Sequence, residues 1–210
     1  MTKKINSRTK AQGAETKMQL FRCAEELLLH HDYNDISVKD ITKMAGVSKG
    51  TFYVHFESKD ELQVAIITRY VEEMDIQYEH FLKVLPPGMS SYDRMLALVA
   101  GTINIMAAQV GYENLKSLYR LQISKTVSTE AVNGYNRRLY ALFGQVLERG
   151  IRRGEFMSEL SPEVLTRHFV MAIRGLTYEW CIRDSDFDLK KEADIHFRLL
   201  LDGIRVKGNA

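Results

Sequence analysis

Residues 37–62, SVKDITKMAGVSKGTFYVHFESKDEL, restrict the fold more than any other stretch of this chain. Serines stand where helices start and a glycine where a helix stops, so the segment has room for two short helices, a tight turn and the beginning of a third. Ser37 is placed to cap the first helix, which turns Ile41 and Ala45 inward. Gly46 supplies the positive φ that ends it, and Val47 falls in the seam before Ser48 caps the second helix. Along that helix Phe52 and Phe56 share a face, which leaves Gly50 and Val54 on the opposite side at about 100° per residue. Lys49 with Tyr53, and Thr51 with His55, lie on the flanks. An outer surface of Lys, Gly, Thr, Tyr and His, in place of the Glu and Lys of a solvated helix, is suited to contact. In a helix-turn-helix that contact is with the major groove of DNA.

Elsewhere apolar residues recur at spacings of three and four, with only three prolines and no strand-like stretch, so the expected fold class is all-α. The first helix is expected over about 16–30, with Leu20, Phe21, Ala24, Leu27 and Leu28 on one face. A long helix opens with the Ser58 to Glu61 capping box and runs through Leu62, Ile66, Tyr70, Met74 and Phe81 to the break at Pro86, Pro87 and Gly88. Next come a helix through Met95, Leu98, Thr102, Ile105 and Met106, an interruption at Gly111, and a shorter helix to Ile123. After the loop SKTVST, one long helix is expected through Val132, Tyr135, Leu139, Leu142, Phe143, Val146 and Leu147, stopped by Gly154. Ser161, Pro162 and Glu163 give cap, N1 proline and early acid in succession, and the last helix carries Leu189 to Ile204. The expected division is 1–60 for the helix-turn-helix domain and 61–210 for a larger helical domain.

The 45% hydrophobic content is ample for a core without staples. Cys23 and Cys181 sit in apolar helical patterns with no CxxC spacing, so neither a disulfide nor a metal site is expected. No run of 18 apolar residues occurs and MTKKINSRTK lacks a signal-peptide core, which implies a cytoplasmic protein with no membrane partner. The net charge of +2 hides an asymmetry. Residues 1–22 carry Lys3, Lys4, Arg8, Lys10, Lys17 and Arg22 against Glu15, which is +5 and leaves −3 for the rest. Residues 1–12 are either a basic arm for phosphates or the minor groove, or a solubilising tail. Histidines are scattered without HExxH spacing, and no GxSxG or P-loop is present, so no enzyme and no cofactor is expected.

The run AGVSKGTFYVHFESKDEL resembles the N-terminal signature of the TetR family of bacterial one-component repressors, and TKMQLFRCAEELLLHHDYNDISVKDI resembles its first helix and lead-in. One departure is Asp32, where the family usually has glycine; aspartate tolerates the left-handed conformation. The resemblance implies a ligand-responsive regulator, expected to be a repressor, that binds a palindromic double-stranded DNA operator as a homodimer and is released by a small-molecule effector. An activator stays open, because the sign of regulation depends on operator position. So do a helical small-molecule-binding module without sequence-specific DNA binding and an architectural protein with no sequence preference.

The same resemblance places Lys39, Lys49, Gly50 and Tyr53 near base edges. Thr51, His55 and Lys59 match phosphate-holding positions, with Ser37 and Ser48 offering helix N-termini and hydroxyls. Val54, outermost on its helix, could meet a thymine methyl. The resemblance further implies an effector pocket among the fourth to eighth helices. Candidate lining residues are Met106, Tyr119, Gln122, Tyr135, His168, Met171 and Arg174, with Glu179 a candidate partner for Arg174. Finally it implies a dimer bundle of the helices over about 161–184 and 189–206, for which Leu165, Phe169, Ile173, Trp180, Phe197 and Leu201 are the candidate interface residues.

Overall fold

The computed structural model describes the backbone of residues 2–206 apart from Asp32, Asn136 and Ser158, and the side chains from Ala11 onward apart from those three and Leu29. The expected role of Asp32, and the side chains of Lys3, Lys4, Arg8 and Lys10, lie outside the described residues. The chain is all-α, with helices α1 Thr2–His30, α2 Val38–Met44, α3 Lys49–His55, α4 Lys59–Val84 and α5 Ser91–Gln109. They are followed by α6 Gly111–Ser124, α7 Glu130–Asn133, α8 Arg138–Arg152, α9 Pro162–Ile182 and α10 Leu189–Ile204. Among the described residues no single helix is long and apolar enough to cross a membrane.

Two compact units form: Met1–Ile67 with Arg120–Thr129, and Thr68–Tyr119 with Glu130–Ala210. The first therefore reaches past residue 60 into α4 and takes in the end of α6, a division that local sequence does not reveal. Its core is Leu20, Ala24, Ile41, Phe52, Phe56 and Leu62, all buried. Phe21 meets Phe56 edge to face at 5.4 Å, and Gln19 Nε2 donates to the Ala45 carbonyl at 2.8 Å, so α1 holds the end of α2. Helix α1 starts at Thr2, much earlier than expected, so the basic segment continues the helix backbone.

In the second unit α8 packs on α5 and α9, and α10 on α5 and α9. Phe143, Leu147, Phe169, Phe197 and Leu201 fill the centre. Gly150 permits the closest approach there, because a Cβ on it would stand 2.1 Å from the Phe156 ring. The single long helix expected from Val132 is broken into α7 and α8. Arg137 sits at the break with an extended backbone, donates to the Val132 carbonyl at 3.2 Å, and pairs with Asp75 at 2.7 Å. A continuous helix would have no need of that carbonyl cap. The almost fully buried pair outweighs the apolar periodicity that spans the break.

The expected dimer residues need correction. Leu165, Phe169, Ile173, Phe197 and Leu201 are buried in the chain's own core, and Phe169 contacts Phe197 with ring centroids 5.8 Å apart. Trp180 is half-buried, donates Nε1 to the Phe187 carbonyl at 3.2 Å and meets Tyr112 edge to face. These side chains face inward because α8 and α5 cover that side of α9 and α10.

Candidate nucleic-acid interface

The helix-turn-helix is built from its caps. Ser37 accepts from the Asp40 N–H at 3.2 Å while Asp40 accepts from the Ser37 N–H at 2.9 Å, a reciprocal box that starts α2. The Ser37 hydroxyl also donates to Asp40 Oδ2 at 2.5 Å, and that bond, ahead of the one from the Ser37 N–H, holds the Asp40 carboxyl below the ordinary carboxylate range. Gly46 has φ +64, and the Val47 N–H donates to Thr42 O at 3.0 Å, which closes the turn. Ser48 Oγ accepts from the Thr51 N–H at 3.0 Å and lies 2.9 Å from Thr51 Oγ1. The Ser37 and Ser48 hydroxyls expected on phosphates are thus engaged as caps, which leaves the helix N-termini themselves to face an anion.

Phe52 and Phe56 are 0% and 2% exposed, whereas Tyr53 and Val54 are 55% and 79% exposed. Lys49 and Gly50 are exposed beside them, Thr51 and His55 are half-buried on the flank, and Lys39 is exposed on α2. Val54 and Tyr53 together leave an apolar surface open for contact, while the Tyr53 ring also meets Phe52 edge to face at 5.4 Å. Gly50 points the same way. A methyl there would meet nothing nearer than Ser48 Oγ at 3.6 Å, so no contact inside the chain requires glycine at the second position of α3, where alanine is the better helix former. Close approach of an outside body explains it.

Lys59, expected on phosphate, is placed differently. Its ammonium donates to the carbonyls of Tyr33 at 2.8 Å and Ile36 at 2.7 Å and stands 4.0 Å from the centre of the Tyr33 ring. Burial lowers its pKa. It therefore satisfies the carbonyls of the turn between α1 and α2 with two of its three N–H groups. Next to it Tyr33 donates its hydroxyl to Asp60, whose Oδ1 lies 3.8 Å from Arg120 Nη2. Arg120 also stands 5.3 Å from the Tyr33 ring centre, and burial followed by the Asp60 bond raises the Tyr33 pKa. Sequence reasoning missed this cluster because Tyr33, Lys59 and Arg120 are far apart in the chain and share no periodic pattern.

The family profile for bacterial regulatory proteins of the tetR family matches residues 20–66. That match covers the caps, the turn and the exposed face described above. This chain carries the N-terminal domain of the tetR family of bacterial regulatory proteins. Over its length it is 26% identical to the HTH-type transcriptional repressor BepR of Brucella suis, across 96% of this chain and 98% of that protein. The fatty acid metabolism regulator protein of Bacillus subtilis is 22% identical across 90% and 96%. Among solved structures, FadR from Bacillus subtilis in complex with stearoyl-CoA superposes with a TM-score of 0.68 at 20% identity, over 90% of this chain and 99% of that one. FadR from Thermus thermophilus in complex with lauroyl-CoA gives 0.70 at 20%, over 92% and 97%.

The candidate effector residues stand in different surroundings among the described residues. Tyr119 and Arg174 meet: the tyrosine hydroxyl donates to the Arg174 carbonyl at 3.1 Å and lies 2.5 Å from Thr177 Oγ1. Burial pushes that hydroxyl up to about 12. Arg174 is held by the Asn133 carbonyl at 3.2 Å and by the Tyr140 ring at 5.6 Å, while Glu179 pairs with Arg183 at 2.5 Å and not with Arg174 as expected. Tyr135 is exposed and stacks edge-on to Tyr140. His168 and Met171 are exposed, Met106 is half-buried, and Gln122 belongs to the other compact unit. A groove of about 730 Å³ lies where Tyr135, Tyr140, Gln145 and Glu148 face the start of α9 at Glu163 and Arg167.

Proposed function

We propose that this chain is a cytoplasmic TetR-family repressor that binds a palindromic operator as a homodimer and is released by a small-molecule effector. One observation carries the reading: α3 turns Lys49, Gly50, Tyr53 and Val54 to solvent while its two phenylalanines are sealed inside. Base-edge contact by Lys49 and Tyr53, and a thymine methyl against Val54, use that surface fully. One such helix covers only a few base pairs, so specificity asks for two copies at fixed spacing. Support for the second copy comes from an apolar row that α9 and α10 leave uncovered. On α9 it is Met171, Tyr178 and Ile182, with Gly175 between them, and on α10 it is Ile195 and Leu199.

The effector is held in the helical unit, and the tyrosine-lined groove between α8 and the start of α9 is the candidate place. The two FadR structures contain acyl-CoA, so stearoyl-CoA is the first effector to try. A module without sequence-specific DNA binding would have no use for intact caps beneath an exposed Tyr53 and Val54. Competition of labelled duplex against unrelated duplex at fixed salt tests the reading. A selected duplex should survive excess unrelated DNA, and equal displacement by every duplex would contradict a repressor.

A further inference from the structure

Where the end of α4, the start of α5 and α8 come together, a cavity of about 290 Å³ is lined by Glu79, Lys83, Arg94 and Arg149 over a floor of Leu142 and Val146. It belongs to one compact unit, uses none of the residues considered above for DNA, and shares Gln145 alone with the groove considered for the effector. Arg94 Nη2 donates to the Leu82 carbonyl at 2.9 Å and Nη1 to Pro86 at 3.0 Å, so this guanidinium caps the last turn of α4. Arg149 Nη2 donates to the Pro87 carbonyl at 2.7 Å. Arg149 Nη1 is shut off from solvent and finds no acceptor among the described residues. A charged donor left in that condition forfeits its hydration for nothing, and such groups in native proteins are met by an ion or water.

The cavity wall offers no neutralising charge either. Glu79, its carboxylate, receives Lys83 at 2.6 Å on Oε1 and Arg138 at 2.9 Å on Oε2, so both oxygens are engaged. Burial, and then the neighbouring charge of Arg149, lowers the Arg94 pKa. Two guanidiniums share a half-enclosed space with no acid between them, and that space is many times the roughly 30 Å³ that one water occupies in the liquid.

We propose that this cavity binds a phosphate-type oxyanion, free or as the phosphate group of a small metabolite, beside the Arg94 and Arg149 guanidiniums and the Lys83 ammonium that line it. An arginine fork beside a mobile ammonium suits the several oxygens of phosphate better than a single carboxylate. The site stands or falls separately from operator recognition.

Calorimetric titration of the full chain with inorganic phosphate and, separately, with glycerol 3-phosphate, in chloride buffer of matched ionic strength, tests it. Saturable one-site binding is expected, and the tighter of the two probes identifies the source. Arg149→Gln should weaken binding about tenfold or more and Lys83→Gln by about threefold, while Arg183→Gln, in the exposed pair with Glu179 at the end of α9, leaves it unchanged. Far-ultraviolet circular dichroism checks that each variant folds, and exposed Lys83 decides the matter should Arg149→Gln not fold. Absence of saturable heat with both probes up to about 10 mM would mean that water alone fills the cavity and would overturn the proposal, as would binding indifferent to both substitutions.

Discussion

Helices α3 and α9 both present an outward row, yet only one of the two rows can be read from the sequence. In α3 Phe52 and the C-cap Phe56 are the large apolar pair at helical spacing, so they define the inside and the opposite side is surface. In α9 apolar residues occupy both sides. Leu165, Phe169 and Ile173 face the core, while Met171, Tyr178 and Ile182 face out. Periodicity says that a helix has an apolar face; it does not say which of two is covered by the same chain. A helix with apolar residues on both sides is therefore best treated as having two partners, one inside the chain and one to be found.

The largest effects separate those two faces of α9. Phe169→Ala should cost about 3–5 kcal/mol of stability, as truncation of a sealed aromatic does. Met171→Asp with Ile182→Asp should leave stability within about 0.5 kcal/mol per site but abolish the dimer. Operator affinity would then fall on the order of a hundredfold through lost bivalency. Calorimetry and sedimentation together read both outcomes, and a double variant that unfolds would show that the outward row belongs to the core after all.

Lysines make a second contrast within the first unit. Lys49→Ala should relax discrimination at one base pair by about 1–3 kcal/mol without changing thermal stability. Lys59→Ala should instead lower stability by about 1–3 kcal/mol, because two turn carbonyls lose their charged donor, and leave the salt dependence of binding unaltered. A salt slope that drops by about 0.9 in Lys59→Ala would assign it a phosphate. Gly50→Ala is a smaller and oppositely signed test, since it should raise stability by up to about 1 kcal/mol while weakening the operator complex. Equal or better DNA affinity in that variant would remove close approach as the reason for the glycine.

The smallest effect concerns acid. Burial acts to raise the Glu155 carboxyl, but the Ser91 N–H at 2.5 Å and Arg153 at 2.5 Å outweigh it and hold the group below its ordinary 4.5. A depressed folded value stabilises above the unfolded one, and that contribution is lost as pH falls through the folded value. The difference in melting temperature between the natural protein and Glu155→Gln should accordingly narrow from about pH 6 to about pH 3. A constant difference would mean that the carboxylate contributes nothing as a charge.

Local chemistry explains how much could be read in advance. Ser37, Gly46, Ser48, Ser58, Ser161 and Pro162 announce their caps and turns because each acts on backbone within a few residues. The role of Lys59 was not legible, since its acceptors Tyr33 O and Ile36 O are backbone atoms distant in sequence. Neither was the break before α8, where the Arg137 pairing with Asp75 decides the matter. The effector residues fared worst. Tyr119 and Arg174 satisfy each other's neighbourhood within the chain, and tyrosine or methionine content does not distinguish a cavity wall from a core.

The central claim is that α3 reads duplex DNA with the face bearing Lys49, Gly50, Tyr53 and Val54, in two copies. Selection from a random duplex pool, run in parallel with the natural protein and with Lys49→Ala, measures it directly. The expected result is an inverted repeat whose half-sites lie about 34–36 Å apart or a multiple of that, with preference altered at one symmetry-related position in the variant. Enrichment of no sequence, or of an asymmetric site that Lys49→Ala leaves untouched, would contradict it.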